Sequence, residues 1–480
     1  MTLQIPFDNS YARLPERFYV RQPPVPVARP ELVLLNRVLA TDLGIDPAAL
    51  QSDEGIAVLS GNAVAMGSEP LAQAYSGHQF GGFSPVLGDG RALLLGEVMD
   101  RRGRRRDIQL KGSGRTAFSR PGSDGRSPLG PAIREFIVSE AMHALGIPTT
   151  RSLAVVATGE SVRRNGPEPG GVLTRIAASH LRIGTFQFFA VRQDIEALRL
   201  LADFAIVRHF PEAEGPLDLL NAVIARQADL VARWMGAGFI HGVMNTDNTA
   251  ISGETIDYGP CAFMDEYHPQ TVFSSIDRHG RYAFDRQAGV LAWNLAQFAS
   301  CLVPLLDRDT DTAVRIAQGA VGAYPALVER SWGAVFAAKL GLAEIRGGDD
   351  TLAVELLDLM ARQQADFTNT FRGLADGSAG AQFTDPAPFD TWESRWRQRV
   401  AQGAAPEAVA ARLRAANPAI VPRNHRVAEA ISAAEAGDLA PVHRLIAALR
   451  TPFASPDTAT HALTKPPADD ERVRQTFCGT

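Results

Sequence analysis

Lysine is nearly missing from this chain. Of 48 basic residues only Lys111, Lys339 and Lys465 are lysines, leaving 45 arginines. Arginine therefore fills almost every place that wants a cation. A lysine kept within an apolar strand stands out, because a compact ammonium and a planar guanidinium are not interchangeable at a phosphate. Cysteine is equally sparse. Cys261, Cys301 and Cys478 cannot build a disulfide framework, and no CxxC pair offers structural zinc. This usage fits a reducing cytosol, so a cytoplasmic location is expected. No apolar run stands out at the roughly 20 residues of a spanning helix. Residues 1–8 carry neither a basic n-region nor an apolar h-region, so neither a secretory signal nor a membrane partner is expected. A basic excess is also lacking: 53 acidic against 48 basic residues give a net charge of −5. Nucleic-acid binders are usually basic, so no nucleic-acid partner is expected. HExxH, GxSxG and a complete GxGxxG are absent, which removes the signatures of zinc hydrolysis, serine hydrolysis and Rossmann dinucleotide binding.

What is there describes an ordered chain. With 480 residues, 45% hydrophobic and 21% charged, two or three domains of about 150 residues each are expected. Residues 1–60 read as a proline-punctuated entry with a short helix over 31–43. Residues 75–91 hold five glycines and read as loops or strand turns. A hairpin follows: an apolar strand over 92–99, a polar turn over 100–106, and a strand over 107–111 that places Ile108 and Leu110 on one face. The arginines of the turn read as a solvated hairpin tip. Pro131 opens a helix closed by Gly146 and Pro148. Strands are expected over 151–158 and 171–176, and helices thereafter, including 287–306, 351–373 and 406–450. The tail from 451 reads as irregular. The fold class is α+β, a small sheet-bearing lobe followed by a large helical one.

Two constellations carry chemistry. Lys111 on a strand, followed by Glu135 on a helix, is the pair by which kinases neutralise nucleotide phosphates and fix the lysine. A plain structural ion pair explains it equally, but the scarcity of lysine favours function. The second runs His241-Gly242-Val243-Met244-Asn245-Thr246-Asp247-Asn248 and then Ile256-Asp257-Tyr258-Gly259. Asn248 and Asp257 are hard oxygen donors of the kind Mg²⁺ takes when phosphates complete its shell. Kinases carry an Asp two residues after the His; here Val243 stands there and an Asp stands at 247 instead. His241 and His78 read as packed, structural histidines.

At this point the chain resembles a known family. Gly77-His78-Gln79-Phe80-Gly81, Leu87-Gly88-Asp89-Gly90-Arg91, Leu110-Lys111-Gly112 and Ile133-Arg134-Glu135-Phe136 are similar to motifs of the selenoprotein O family. So are the 241–248 and 256–260 segments, and Asn417-Pro418 with Arg423-Asn424. The resemblance runs from about residue 5 to the end. It implies a two-lobed protein-kinase-like fold, with an N-terminal lobe over 1–190, a helical C-lobe over 191–400 and a C-terminal helical extension and tail over 401–480. It implies ATP bound in a flipped orientation, and transfer of AMP to hydroxyl side chains of proteins, with uridylyl transfer also attributed to a bacterial member. The nucleotide-contacting positions would be Gly88, Gly90, Arg91, Lys111, Asp124, Gly125, Arg175, Arg182 and Asp257. Asn248 and Asp257 would hold Mg²⁺ or Mn²⁺, Asp247 would accept the proton, and Glu135 would support Lys111. Without the resemblance, Arg175 and Arg182 read as ordinary helix or loop arginines.

Departures are few. Val86 stands where the family commonly has Gln, and Ser123 is an extra residue before Asp124-Gly125. Cys478 fits a family cysteine near the C-terminus, but Phe273 stands near the position of its partner in some members. A redox lock by that pair is therefore not expected, and pairing with Cys261 instead is the less favoured alternative. The rival functions are a kinase moving the γ-phosphoryl group and a non-catalytic pseudokinase scaffold. Val243 argues against the first, and the retained Lys111, Glu135, Asn248 and Asp257 argue against the second. Oligomeric state is not legible.

Overall fold

The computed structural model describes residues 3–164, 166–402 and 405–477. Among the described residues ten strands precede residue 178: β1 (Tyr19–Arg21), β2 (Glu31–Leu35), β3 (Leu71–Gln73), β4 (Gly77–Gln79), β5 (Gly82–Ser84), β6 (Ala92–Met99), β7 (Arg105–Lys111), β8 (Ser127–Pro128), β9 (Arg151–Arg163) and β10 (Pro167–Ala177). Eight form one sheet in the order β1-β3-β6-β7-β10-β9-β2, with β8 beside β10; β4 and β5 form a hairpin of their own. Neighbouring strands are antiparallel throughout this sheet.

The expected helix over 31–43 divides. Leu32 and Leu34 pair with β9 as β2, and only α1 (Arg37–Asp42) is helical, capped by the Asn36 side chain on the amide of Leu39. The run of apolar residues there serves a sheet edge rather than a helix face. α2 (Pro47–Leu50) and α3 (Asp53–Ser60) follow. Ile108, Leu110, Val172 and Ile176 pack with the α1–α3 layer, as period two requires. Leu173 and Val155 point to the other face, against α4 (Leu129–Ala144).

From residue 183 the chain is helical: α5 (Ile183–Ala190), α6 (Ile195–His209) and α7 (Pro216–Ala237), then the short strands β11 (Phe239–Ile240) and β12 (Ala262–Phe263). α8 (Gln287–Leu306), α9 (Thr310–Gly322), α10 (Tyr324–Lys339), α11 (Asp349–Gln363), α12 (Phe367–Gly373), α13 (Pro386–Val400), α14 (Pro406–Ala416), α15 (Asn424–Glu435) and α16 (Ala440–Leu449) complete it. The expected helix over 351–373 breaks at Gln364, whose φ is 54°, and Asp366 caps α12. Against expectation, one stretch does reach spanning length: residues 284–306 are long enough, and an 18-residue window within them has mean hydropathy 1.5. Leu291, Leu295, Phe298 and Leu302 on it are buried in the main core with α5 to α7, so packing accounts for its apolar character. α15 and α16 return to the sheet side and cover α4. The described tail holds one 3₁₀ turn, and its Thr476 pairs with Ser274.

Candidate active site

β7 and β10 run side by side, with Leu173 opposite Lys111 and Arg175 opposite Gln109. Positions of one parity share a face, so Lys111 and Arg175 sit diagonally on the face that α4 covers. α4 presents Glu135 there. Lys111 Nζ lies 2.6 Å from Glu135 Oε2 and 2.8 Å from Asp257 Oδ1. Arg175 Nη2 lies 2.9 Å from Glu135 Oε1 and 2.6 Å from Asp257 Oδ1. Arg182, at the N-cap of α5, lies 3.5 Å from Asp257 Oδ2, and its guanidinium stacks 4.4 Å from the Tyr75 ring centre. Three cations thus surround two carboxylates, a set of donors suited to phosphate oxygens.

Asp257 occupies the left-handed region, at φ 63°. Asp tolerates this conformation better than most residues, and such positions gather at functional sites. Burial alone would push its carboxyl up; Arg175, Lys111 and Arg182 outweigh it and hold the group well below the usual carboxylate range. Removing one partner from a buried network of this kind costs about 3–5 kcal/mol, because the other charge is left uncompensated.

The 241–248 loop lies beside this cluster. His241 is buried, stacked on Trp234, with Nε2 donating to the Ile256 carbonyl and Nδ1 accepting from the Val243 amide. It braces the loop, as expected. Val243 is buried too. Arg182 Nη1 donates to the Asp247 carbonyl at 3.0 Å, so one guanidinium joins Asp247 to Asp257. The Asp247 side chain is buried; Oδ2 accepts from Gln79 at 3.0 Å and Oδ1 has no partner. Burial raises its carboxyl to about 6 against the opposing effects of Gln79 and Arg182. Asn248 Nδ2 donates to the Val243 carbonyl, which leaves its amide oxygen as the acceptor atom of that side chain.

The hairpin β4–β5 clasps this loop residue by residue. The His78 amide donates to Thr246 Oγ1, Gln79 to Asp247, and the Phe80 amide to Asn245 Oδ1. Gln187 closes the clasp by bonding both His78 Nδ1 and Thr246 Oγ1. His78 is therefore structural, as expected. Gln79 was missed as a site residue; its place inside Gly77–Gly81, directly opposite the Asp-bearing loop, is a signal visible only once the two segments meet.

The glycine loop is anchored from behind. Asp89 is buried, accepting from the Gln73 amide and Gln109, and burial pushes its carboxyl up to about 6. Gly88 has φ 58°, and a Cβ there would overlap the Phe118 ring; one at Gly90 would sit 3.1 Å from the Phe118 carbonyl. Arg91 heads β6, and its carbonyl accepts from the amide of Gly112, next to Lys111. Asp124 stands apart from the cluster, paired with Arg164 at 3.0 and 3.1 Å on an exposed loop. Gly125 lets that loop pass against Gly114 and Arg115, where a Cβ would come within 2.3 Å of backbone. The structure thus brings together Lys111, Glu135, Arg175, Arg182, Asp247 and Asp257, with Asn248 adjoining, and leaves Asp124 at the rim. Cys478 lies outside the described residues. Cys261 is a buried free thiol.

A family model described as Protein adenylyltransferase SelO matches residues 1–450. The chain belongs to the SelO family. It is 59% identical, over the whole of both chains, to a Ruegeria pomeroyi protein named Protein nucleotidyltransferase YdiU. Proteins of the same name from another Ruegeria strain and from Rhodopseudomonas palustris are each 57% identical, again over the whole of both chains. This SelO chain therefore has relatives that carry its full length, and the 88–91, 111, 135, 175–182 and 247–257 positions all fall inside the matched region.

Proposed function

We propose that the protein transfers AMP from ATP, with UTP as a second donor of UMP, to Ser, Thr or Tyr hydroxyls of proteins, and that it does so on a two-lobed protein-kinase-like scaffold. As a member of the SelO family it is a protein nucleotidyltransferase. The observation that carries the finer reading is the Arg182 bridge: one guanidinium ties the loop of Asp247 to the cation cluster around Asp257. A proton acceptor and a phosphate cradle are thereby held as one unit.

In this mechanism the acceptor hydroxyl oxygen attacks the α-phosphorus. Its proton passes to Asp247, whose free Oδ1 and raised pKa suit a base working near neutrality. The bond from the α-phosphorus to the bridging oxygen breaks, and pyrophosphate leaves with the negative charge. Lys111, Arg175 and Arg182 stabilise that charge in a largely water-excluded setting. Glu135 keeps Lys111 and Arg175 in place.

Among the described residues no group of three or more His, Cys, Asp and Glu stands at metal-binding spacing. The donors offered by Asn248 and Asp257, one amide oxygen and one carboxylate, fit Mg²⁺ or Mn²⁺, which take one or two protein carboxylates together with substrate phosphates and water. Such an ion, when bound, would neutralise phosphate charge.

The kinase alternative lacks support at Val243, which is buried and cannot take a proton. The sheet-bearing region over 1–190, the helical region over 191–400 and the extension from 401 are the proposed lobes. Buried free Cys261 and Cys301 support a cytoplasmic location. Mass spectrometry of acceptor proteins after incubation with ATP and Mg²⁺ or Mn²⁺ tests the proposal. Adducts of a nucleoside monophosphate, with pyrophosphate released, are expected; adducts of phosphate alone would overturn it.

A further inference from the structure

A groove of about 950 Å³ opens beside the 241–248 loop, outside the cation cluster. Phe80, Ile276 and Trp293 supply its apolar surface, and Arg278, Arg281 and Arg286 its charge. Phe80 and Ile276 are 38% and 50% exposed, unusual for large apolar side chains flanking one cavity.

Both walls of this groove are fixed to the site. The Phe80 amide and the Tyr282 hydroxyl each donate to Asn245 Oδ1, at 3.1 and 2.5 Å, and their rings meet edge to face at 5.1 Å. Asn245 stands two residues before Asp247, and Gln79, next to Phe80, bonds Asp247 itself. The groove is thus tied to the proposed base by hydrogen bonds through one hairpin and one loop.

Its charge is unbalanced. Two carboxylates face the three arginines. Asp277 is occupied by the backbone amides of Arg281 and Tyr282, at 2.8 and 2.7 Å, and Asp285 is exposed. Among the described residues none of Arg278, Arg281 and Arg286 has a carboxylate partner; Arg281 lies over Trp293 at 5.1 Å. Unpaired arginine beside an exposed aromatic is the composition of a protein-docking surface.

We propose that this groove receives the acceptor protein, binding an acidic segment that carries an apolar side chain and leading its hydroxyl toward Asp247. The inference rests on the assignment of Asp247 to the transfer step and adds the class of acceptor.

The test uses the full chain and two fluorescein-labelled peptides of equal length. Both carry a central Ser-Leu, flanked by Glu in one and by Lys in the other. Anisotropy should show the acidic peptide binding at least about tenfold tighter than the basic one, with affinity falling as salt rises. The double variant Arg278→Glu/Arg286→Glu should lose at least about tenfold for the acidic peptide. Ile276→Ser should weaken it separately. Binding of a fluorescent ATP analogue should stay unchanged in both, which shows an intact fold. Equal binding of the two peptides, no binding of the acidic one below about 1 mM, or an unaltered double variant would overturn the proposal. So would tighter binding of a single-stranded oligonucleotide of equal charge that is lost in the same double variant. Label transfer from α-labelled ATP to lysate proteins is measured in parallel. If it occurs and Asp257→Ala abolishes it while the peptides bind alike, docking fails and nucleotidyl transfer stands.

Discussion

Lys111 and Arg175 converge on a single oxygen: both cations lie within 2.8 Å of Asp257 Oδ1, at 2.8 and 2.6 Å. The lysine comes from β7 and the arginine from its neighbour β10, so the sheet register sets the spacing at which they meet one carboxylate.

The two cations should nonetheless respond differently to removal. The Arg175 side chain is 2% exposed and the Lys111 side chain 14%. Arg175→Ala should therefore lower stability by about 3–5 kcal/mol, leaving buried Glu135 and half-buried Asp257 short of a partner. Lys111→Ala should destabilise less and reduce transfer by at least about a hundredfold through lost phosphate stabilisation. Thermal unfolding and label transfer separate the two. An Arg175→Ala protein that unfolds at the parent temperature would contradict the network as described.

Asp247 predicts a pH dependence. Its carboxyl is raised from 3.8 to about 6, and the base form exists above that value. Transfer should rise with pH through about 6 and level off above it. The same shift has a stability consequence of opposite benefit. The folded state binds the proton more tightly than the unfolded chain, so stability falls as pH rises from the unfolded value of 3.8 through about 6. Asp247→Asn keeps an acceptor for Gln79 without the charge. It should abolish transfer while stabilising the fold at pH 7–8 by about 1–3 kcal/mol. Asp89→Asn is the control, since Asp89 is also raised to about 6; a pH profile moved by Asp89→Asn and not by Asp247→Asn would remove Asp247 from the role of base.

Gln79 predicts a positioning effect. It holds Asp247 Oδ2 and is itself held by Arg120 at 2.8 Å. Gln79→Ala should lower kcat about tenfold or more and leave ATP affinity unchanged. Gln79→Glu should shift the lower limb of the pH profile upward, because a second carboxylate beside Asp247 disfavours its ionised form. A Gln79→Ala enzyme with a parental kcat would reduce the clasp to packing.

Lys339 makes a prediction away from the site. It is buried, bonds Asn417 Oδ1 at 2.9 Å, and lies 4.2 Å from the Phe371 ring centre. Burial lowers its ammonium from 10.5 to about 7. The folded state then binds fewer protons than the unfolded chain above pH 7, so this group makes stability rise with pH between about 7 and 10.5. Lys339→Met should flatten that slope and raise the unfolding temperature at pH 7. An unchanged slope would show that the ammonium is not desolvated.

Much of this was legible in the sequence because it is local. The hairpin over β6 and β7, the strand position of Lys111, the helix position of Glu135 and the bounds of α8 follow from periodicity and breakers. The bracing role of His241 follows from its apolar surroundings. Three things were not legible for physical reasons. β2 is an edge strand, and its Leu-rich run has no intrinsic preference that separates it from a helix; β9 decides it. Arg175 and Arg182 become site residues only because β10 pairs with β7 and the N-terminus of α5 abuts the Asp247 loop. Gln79 acquires its role from a contact across 168 positions of chain, and nothing in either segment alone announces it.

Nucleotidyl transfer moves the α-phosphorus of ATP to protein, whereas a kinase moves the γ-phosphorus. The chain is incubated with a lysate and Mg²⁺ or Mn²⁺, with ATP labelled at either the α or the γ position, beside Asp257→Ala. Label entering protein only from the α position, and lost in Asp257→Ala, is the predicted result. Label entering only from the γ position would make the protein a kinase and contradict the account.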